Sequence, residues 1–562
     1  MRLYLKTKAN RFENKDALTS LFLCLIALIV ALCLHPTYET NDDVLIEALL
    51  YGYHGMKGTP FLVYIDRVMG HMLYMLISVF PYVNWYFAMH YTTCLLSFFI
   101  LSRTIIDKFK FKGVFASILI VAAGMETLYT VQYTKTAALA AIAGMIGLLY
   151  SAKEEHKWFY KVTSIILILL SCMIRLQAFA MLCPFWAFLG LFELIGLLKD
   201  KKETLKRYVV LLCIAVCLVL TVIVADKIID NNTRGASEFL RYNAARTTIT
   251  DYPIVVGGSD KDNADLLMVR LWMNNDPEVL TPDRLEELSS KYSRANNVRL
   301  FTAEALKTFL IDYIPNNFTR EPLLILVFAE SGLFLLFSKK RFYVIPLLGI
   351  YVILEWYLFS TGRAGFHRVD FGMLFALVAS LIYLSEVSLP NVKRSIKEII
   401  RYGVIPIVTL ICVAIVSPFP ILWHSSDIYC KRSVTDSFKK ATGNPDYQYM
   451  VHTLTIGVDT ERNIFDIPSD AYPGRFFYMG GWQEGTTFPG TEASKVCDNE
   501  ESPWAACVDS DTIRLVIPKA NGENIVKTIT VYIEKNYGIK SDGILEYMDE
   551  NTCVYRIVSV NH

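Results

Sequence analysis

The chain has 562 residues, of which 53% are hydrophobic and only 19% are charged, and its formal net charge at pH 7 is +1. Soluble chains carry about a quarter charged residues, so the composition excludes an ordinary soluble enzyme, and the balanced charge gives no indication of nucleic-acid binding. The sequence contains no zinc-spaced cysteine set, phosphate-binding glycine loop or dinucleotide fingerprint. Apolar runs of about 17 to 22 residues recur, which is the length that crosses a bilayer. These features predict an all-α polytopic membrane protein.

The first apolar run covers residues 18–34. It follows an N-terminal segment with five basic residues, Arg2, Lys6, Lys8, Arg11 and Lys15. Because cytoplasmic segments are enriched in Lys and Arg, the N-terminus is expected in the cytoplasm. The apolar core is long and no clear small-residue cleavage site follows it, which favours an uncleaved anchor over a signal peptide. The next segment is then expected outside.

The next two apolar stretches, 68–80 and 85–101, cannot both cross without placing a basic segment outside, against the charge rule. Residues 61–80 are therefore predicted to form an interfacial helix on the outer face. The remaining predicted spans cover residues 83–101, 113–124, 134–150, 162–173, 179–198, 209–225, 323–337, 344–359, 369–384 and 404–416. The sequence thus predicts about eleven spans with basic inner loops throughout and an extracytoplasmic C-terminus.

Two domains are predicted: a transmembrane domain over residues 1–417, with outer loops 35–82 and 226–320, and an extracytoplasmic domain over residues 418–562. The second domain is expected to be a small α/β unit, because residues 512–517 and 553–558 have the composition of strands and 524–537 that of a helix. Within the second outer loop, residues 304–314 are predicted to form an amphipathic helix.

Two adjacent carboxylates, Asp42 and Asp43, lie just past the first span, where the membrane meets water. Ionisable groups at such a place are costly unless they are used or paired. The apolar residues that follow recur with helical spacing. One interpretation is that Asn41 or Asp42 caps a short surface helix. The other is that Asp42 or Asp43 acts as a catalytic base.

Six basic side chains are expected at the outer face and form the candidate substrate-binding set: Arg363, His367, Arg368, Arg175, Lys135 and Arg246. The charge rule disfavours basic residues in short outer loops, and an anionic ligand is one reason to place them there. The planar guanidinium of arginine matches a phosphate through two parallel hydrogen bonds. The alternative is that these side chains pair with acidic residues such as Asp370 and Glu355, or with lipid headgroups.

This set of residues suits transfer of a sugar from a lipid phosphate. The leaving phosphate needs fixed positive groups, and the attacking hydroxyl needs a base within hydrogen-bond reach. A partly desolvated aspartate at the bilayer surface has a raised pKa that fits this role.

The first outer loop with Asp42 and Asp43, the Gly-Thr-Pro-Phe-Leu turn at 58–62 and the many spans resemble the GT-C superfamily of integral-membrane glycosyltransferases. The resemblance implies a polyprenyl-phosphate-linked sugar as donor and a glycan, lipid or protein of the cell envelope as acceptor, in a plasma or inner membrane. It also implies an acidic base in the first outer loop, hence Asp42 or Asp43, and basic residues near the donor phosphate, such as Arg363 and Arg368. In the next outer loop only Glu126 is acidic, so a divalent metal is left open as a cofactor.

Two other function classes fit the sequence. An outer-face polysaccharide polymerase or ligase would depend on Arg246, Arg363 and His367, and it would tolerate loss of both aspartates. A transporter should show two related halves or broken segments at mid-membrane, and neither is evident in the sequence. A membrane-anchored binding protein would rely on residues 418–562 alone.

Overall fold

A computed structural model describes residues 2–52, 58–153, 158–198, 202–252, 254, 258–293, 302–316, 321–338, 340–385, 405–455, 463–467, 475–482 and 502–560. Helices dominate this part of the chain, and a small sheet lies near the C-terminus. The architecture is that of a multi-pass membrane protein with a folded part outside the bundle.

The first nine helices are α1 (Arg2–Cys33), α2 (Asn41–Tyr51), α3 (Arg67–Val79), α4 (Trp85–Phe109), α5 (Phe111–Gly124), α6 (Glu126–Tyr129), α7 (Tyr133–Ala152), α8 (Trp158–Leu198) and α9 (Lys202–Asn232). The segment predicted as the second outer loop forms α10 (Ala236–Asp251), α11 (Asp260–Arg270), α12 (Pro282–Tyr292) and α13 (Ala303–Thr308), which a π-helical turn at Phe309–Tyr313 extends. The chain continues with α14 (Pro322–Phe337), α15 (Val344–Ser360), α16 (His367–Leu384), α17 (Ile405–Val416) and α18 (Pro418–Ala441).

Eight helices within the described residues are long and apolar enough to cross a membrane. They are Lys15–Cys33, Trp85–Phe109, Phe111–Tyr129, Tyr133–Ala152, Trp158–Leu197, Glu203–Asn232, Arg341–Ser360 and His367–Leu384. The sequence predicted about eleven spans, three more than these eight helices. One of the three arises because α8 contains two predicted spans, and the other two are α14 and α17, whose described residues are helical but too few for a full crossing. The predicted all-α polytopic class is confirmed.

Helix α7 lies at the centre of the bundle, where nearly all of its residues are buried. It is rich in alanine and glycine, and small residues let neighbouring helices approach closely. At Gly144 an added Cβ would lie 2.8 Å from the Ser164 carbonyl oxygen of α8, and at Gly147 it would lie 2.4 Å from the Ser164 hydroxyl. This close contact packs the C-terminal half of α7 against α8. Nearer the N-terminal end, which carries Tyr133 and Lys135, the Ser171 hydroxyl of α8 donates to the Ala137 carbonyl at 2.7 Å.

Two short strands, β1 (Thr37–Tyr38) and β2 (Thr130–Val131), pair in parallel ahead of α2 and α7. The Glu39 N–H extends the pairing by donating to the Val131 carbonyl at 2.9 Å. The pairing places the segment after the first span directly beside the start of α7. It therefore brings Glu39, Asp42 and Asp43 to the end of the central helix.

The C-terminal part contains β3 (Gln448–Val451), β4 (Arg475–Tyr478), α19 (Pro503–Ala506), β5 (Ile513–Pro518), α20 (Gly522–Tyr537), β6 (Ser541–Met548) and β7 (Thr552–Ser559). The strand order is β4-β3-β5-β7-β6, with parallel pairing at β3 and antiparallel pairing at β7. Residues of the sheet and α20 share one hydrophobic core with α10, α11 and α12. The predicted strands and the helix between them are confirmed, and the boundary at residue 418 stays a prediction.

The predicted capping of α2 by Asn41 or Asp42 is wrong. The helix begins at Asn41, Thr40 occupies the N-cap position, and the Thr40 side chain makes no capping hydrogen bond. Asn41 instead donates its amide to the Thr453 carbonyl at 3.2 Å, so a contact outside the helix overrides the local preference. Asp42 lies in the first turn of α2.

The predicted interfacial segment contains α3, whose thirteen residues are too few to cross a bilayer. Its N-cap is Asp66, which accepts a hydrogen bond from the Val68 N–H at 2.8 Å. One face packs inward through Met69 and Leu73, while Met75 is exposed. The apolar side chains that remain exposed on α3, among them Met75, suit contact with lipid at an interfacial location.

Candidate active site

Asp43 is buried inside the protein. Its side chain is 0% exposed, and Oδ1 accepts hydrogen bonds from the Tyr86 hydroxyl at 2.9 Å and from the Tyr133 N–H at 3.2 Å. Burial raises the pKa of this carboxyl well above its ordinary value. A buried carboxyl that accepts bonds from two other helices links α2 to α4 and α7, and it is not accessible to a substrate.

Asp42 precedes Asp43 by one residue, which turns its side chain about 100° around the helix. The side chain is partly exposed, and Oδ2 lies 3.9 Å from Nη2 of Arg368. Burial raises the pKa of Asp42, while the guanidinium groups of Arg368, Arg175 and Arg246 lower it. The Tyr133 side chain also lowers this pKa by a hydrogen bond, so three cations and one hydroxyl act on the partly exposed carboxylate of Asp42.

Arg175 lies where α8 breaks. Its backbone is extended, with φ −159° and ψ 93°, in the middle of an otherwise continuous helix. The break frees the Met173 carbonyl, which accepts a bond from the Asp66 N–H at 2.8 Å. The Arg175 guanidinium lies 4.0 Å from the ring centre of Tyr64 and 5.3 Å from that of Tyr133. Its Nη1 is buried and has no hydrogen-bond partner among the described residues.

Arg246 approaches from the outer loop, on α10. It is only 1% exposed, and its Nη2 donates to the side chains of Asn243 at 2.5 Å and Thr247 at 3.3 Å. Its guanidinium lies 4.4 Å from the ring centre of Trp272. Nε and Nη1 are buried without a hydrogen-bond partner in the described part of the chain. Buried unpaired donors on a cation cost free energy unless a ligand satisfies them.

Trp272 occupies an unusual backbone position just after α11. The Trp272 N–H donates to the Val269 carbonyl and the Met273 N–H to the Met268 carbonyl, which is the hydrogen-bond pattern of a Schellman motif. The residue at this position is normally glycine, because its φ is positive, and here φ is 59°. A non-glycine residue in this conformation costs about 1–2 kcal/mol of folding free energy. Such strained positions cluster at functional sites, which makes the Trp272 ring a candidate for a functional role.

Lys135 is fully buried and pairs with two carboxylates. Its Nζ lies 2.6 Å from Oε2 of Glu39 and 3.1 Å from Oε1 of Glu126. A cation that two anions already neutralise has no charge left for a phosphate. The side chain instead ties β1, α6 and α7 together beneath the Asp42 loop.

His367 continues this chain of alternating charges. Its Nε2 lies 2.8 Å from Oε1 of Glu126, and its Nδ1 lies 2.9 Å from Oε2 of Glu321. Only a protonated imidazole donates from both nitrogens. The network therefore runs from Glu39 through Lys135, Glu126 and His367 to Glu321, and it fixes the first residue of α16. Arg368 is the next residue on that helix, so the network also fixes the position of the Arg368 backbone.

Arg363 lies apart from this group. Its Nη2 bonds to Oδ2 of Asp251 at 2.7 Å, its guanidinium lies 5.6 Å from the Tyr252 ring centre, and its side chain is 42% exposed. The three basic residues of one short outer segment thus contact three different groups. Arg363 reaches α10, His367 reaches the carboxylate network, and Arg368 alone approaches Asp42.

Reasoning from the sequence missed Glu39, Glu321, Tyr64 and Trp272. No spacing or motif marks them, because each meets its partner through the tertiary fold. The described residues contain no group of three or more His, Cys, Asp or Glu side chains arranged to hold a metal ion. Glu126, the acidic residue of the second outer loop, is engaged by Lys135 and His367.

No protein-family model matches the chain, and no curated protein matches it in sequence. Among solved structures, the chain is similar to ArnT from Cupriavidus metallidurans, crystallised with undecaprenyl phosphate. The identity is 10%, the similarity covers 95% of this chain and 97% of ArnT, and the TM-score is 0.51. Since ArnT is a GT-C glycosyltransferase, the predicted resemblance is confirmed at the level of the fold.

Proposed function

We propose that this protein is a membrane glycosyltransferase that moves a sugar from a polyprenyl-phosphate-linked donor to an acceptor outside the cytoplasm. The observation that carries the proposal is the group around Asp42. Arg368 lies 3.9 Å from the partly exposed Asp42 carboxylate, and the charges of Arg175 and Arg246 also lower the pKa of Asp42. Both Arg175 and Arg246 have buried guanidinium nitrogens without a hydrogen-bond partner in the described chain. The similarity to ArnT, which was crystallised with undecaprenyl phosphate, supports the same ligand class.

The charges match the proposed donor. Arg246 is buried and Arg175 is half-buried, and each guanidinium lies against an aromatic ring. Each has buried N–H donors without a partner in the described chain, and planar guanidinium groups bind phosphate oxygens through paired hydrogen bonds. Arg368 lies close to Asp42 and favours the charged form of its carboxylate by lowering its pKa, against the effect of burial. We assign the donor phosphate to Arg175 and Arg246, and the charge balance of the base to Arg368.

The reaction follows from these positions. Asp42 accepts the proton of the acceptor hydroxyl, whose oxygen forms a bond with the anomeric carbon of the sugar. The bond from that carbon to the phosphate oxygen breaks, and its electron pair stays on the leaving polyprenyl phosphate. The guanidinium groups stabilise the charge that develops on the phosphate. A metal is not required for this balance of charges, and metal use stays open.

Lys135, His367 and Arg363 take other roles in this proposal. Lys135 and His367 are neutralised by Glu39, Glu126 and Glu321, so we assign them to holding the site together. Arg363 is paired with Asp251 and is assigned no contact with the donor.

Arg246→Gln is expected to weaken binding of undecaprenyl phosphate to the purified protein about tenfold or more, because a hydrogen bond to a charged group contributes about 1.5–3 kcal/mol. Native mass spectrometry or fluorescence titration in detergent measures the dissociation constant. The matched control is Arg241→Gln on the same helix, since Arg241 pairs at the surface with Asp283 and Glu286. If Arg246→Gln binds the lipid as tightly as the wild type, the assignment of the phosphate is wrong.

Arg368→Gln is expected to move the acid limb of the pH–rate profile to higher pH. Asp42 works as a base only when ionised, so the rate of transfer falls as the pH drops through its pKa. Burial raises this pKa and the Arg368 charge lowers it, so removing that charge raises it further. The measurement is sugar incorporation by isolated membranes against pH. An acid limb that stays in place, or that moves to lower pH, contradicts the role of Arg368.

The alternative classes give different results in the same assays. A polymerase or ligase that depends on Arg363 and His367 would lose activity in Arg363→Gln and keep it in Asp42→Asn. A transporter or binding protein would leave the covalent structure of envelope glycans unchanged in every variant.

A further inference from the structure

Two aromatic residues near Asp42 have backbone conformations that aromatic side chains seldom adopt. Five non-glycine residues in the described part of the chain have a positive φ: His35, Tyr64, Lys110, Trp272 and Asp509. Tyr64 has φ 66° and Trp272 has φ 59°. A bulky residue in this region of φ/ψ space is an outlier, and such outliers cluster at functional sites.

Each of these two rings lies against one of the two arginines that have unpaired donors. The Tyr64 ring centre is 4.0 Å from the guanidinium carbon of Arg175, and the Trp272 ring centre is 4.4 Å from that of Arg246. These distances suit cation–π stacking. The ring covers one face of the planar guanidinium, while the N–H donors at its edge do not contact the ring and can bind a ligand.

The backbone around each ring is held by contacts that do not involve the ring. Tyr64 lies between Val63 and Ile65, which are 2% and 3% exposed. Two residues on, the Asp66 N–H bonds to the Met173 carbonyl beside the break in α8. The loop of Tyr64 and the break that exposes Arg175 are therefore joined directly.

The turn of Trp272 is held in the same manner from the C-terminal domain. At Gly480 an added Cβ would lie 2.4 Å from the Asn274 nitrogen and 2.5 Å from the Trp272 carbonyl oxygen. The Asn275 N–H donates to the Met479 carbonyl at 2.9 Å, and the Asn274 side chain donates to the Gly481 carbonyl at 3.1 Å. The residues that directly follow β4 therefore hold the turn that carries Trp272.

A third aromatic ring joins the two sides. Trp482, which follows Gly480 and Gly481, is 6% exposed and meets the Tyr64 ring edge-on, with ring centres 5.3 Å apart. The same short segment of the C-terminal domain therefore contacts both the Trp272 turn and the Tyr64 ring.

We infer that Tyr64 and Trp272 are positioning residues, which hold the guanidinium groups of Arg175 and Arg246 with their free N–H edges toward the donor phosphate, and that the segment from Gly480 to Trp482 sets the distance between them. This inference rests on the proposed function, because the phosphate site is defined there. It adds that the site is assembled from three separate pieces: the first outer loop, the turn after α11 and the C-terminal domain.

The test is a pair of double-mutant cycles with undecaprenyl phosphate as the probe and the purified full chain in detergent. Trp272→Leu and Tyr64→Leu are each expected to weaken binding about tenfold, the size of a desolvated cation–π contact. Trp272→Phe and Tyr64→Phe keep a ring and are expected to bind within about twofold of the wild type. Thermal unfolding of every variant is measured alongside.

The cycles separate positioning from general packing. In an Arg246→Gln background, Trp272→Leu is expected to cause no further loss of affinity. In an Arg175→Gln background, Tyr64→Leu is expected to cause none either. The reason in both cycles is that each ring affects binding only through its arginine. Losses that multiply, or leucine variants that bind like the phenylalanine variants, overturn the inference. If the arginine variants themselves bind the lipid like the wild type, the proposed phosphate site has failed instead.

Discussion

Asp42→Asn is expected to lower sugar transfer by about 10²–10⁴-fold, while Asp43→Asn keeps transfer within a few-fold of the wild type, because general base catalysis contributes about 10²–10⁴-fold. Asparagine at position 42 cannot accept the proton of the acceptor hydroxyl. At position 43 the amide oxygen can still accept the bonds from Tyr86 and the Tyr133 N–H. Neighbouring carboxylates of the same type are thus expected to differ sharply.

The measurement is sugar incorporation by membranes from host cells that lack the native protein and carry each variant at equal levels. Asp43→Asn is the matched control, since it makes the same chemical change one residue away in the same helix. Wild-type activity in both variants would show that neither carboxylate is the base. A large loss in Asp43→Asn with full activity in Asp42→Asn would reverse the assignment.

Lys135→Met is expected to destabilise the protein by about 3–5 kcal/mol, the effect of removing one partner from a buried ion pair. The lysine is 0% exposed, and its loss leaves Glu39 and Glu126 without their shared cation. Total stabilities of folded domains are about 5–15 kcal/mol, so the loss is a large share. Thermal unfolding of the detergent-purified protein measures it.

Lys110→Met is the matched control, because Lys110 is 64% exposed and its pair with Asp107 lies at the surface, where such pairs contribute about 0–1 kcal/mol. The double variant Glu39→Gln with Lys135→Met should recover part of the loss, since Glu126 keeps its contact with His367. A Lys135→Met protein as stable as Lys110→Met would mean that the network does not hold the site together.

The membrane architecture follows closely from local sequence. Apolar runs and basic loops predicted every helix that spans the bundle, because burial in lipid depends on the composition of one segment at a time. Near the C-terminus, local composition predicted two of the five strands, β5 and β7, and the helix α20 between them, whereas β3, β4 and β6 were not predicted. The two spans predicted at residues 162–173 and 179–198 correspond to the two parts of α8, which breaks at Arg175.

The candidate site was only partly predictable. Asp42, Arg175, Arg246 and Arg368 were identified as unexpected charges on the outer face, and the fold brings them together. Lys135 and His367 were identified by the same signal, but their carboxylate partners come from distant segments that no local pattern connects to them. A charge that is unexpected at the outer face thus indicates a partner, without revealing whether that partner is a protein side chain or a ligand.

The measurement that tests the central claim most directly is mass spectrometry of lipid-linked sugars and envelope glycans in host cells whose protein carries Asp42→Asn. The proposed function predicts that a polyprenyl-phosphate-linked sugar accumulates and that one glycan, lipid or protein of the envelope loses that sugar, as in cells without the protein. An unchanged lipid-linked pool and unchanged envelope glycans, with the variant present at the wild-type level, would contradict it.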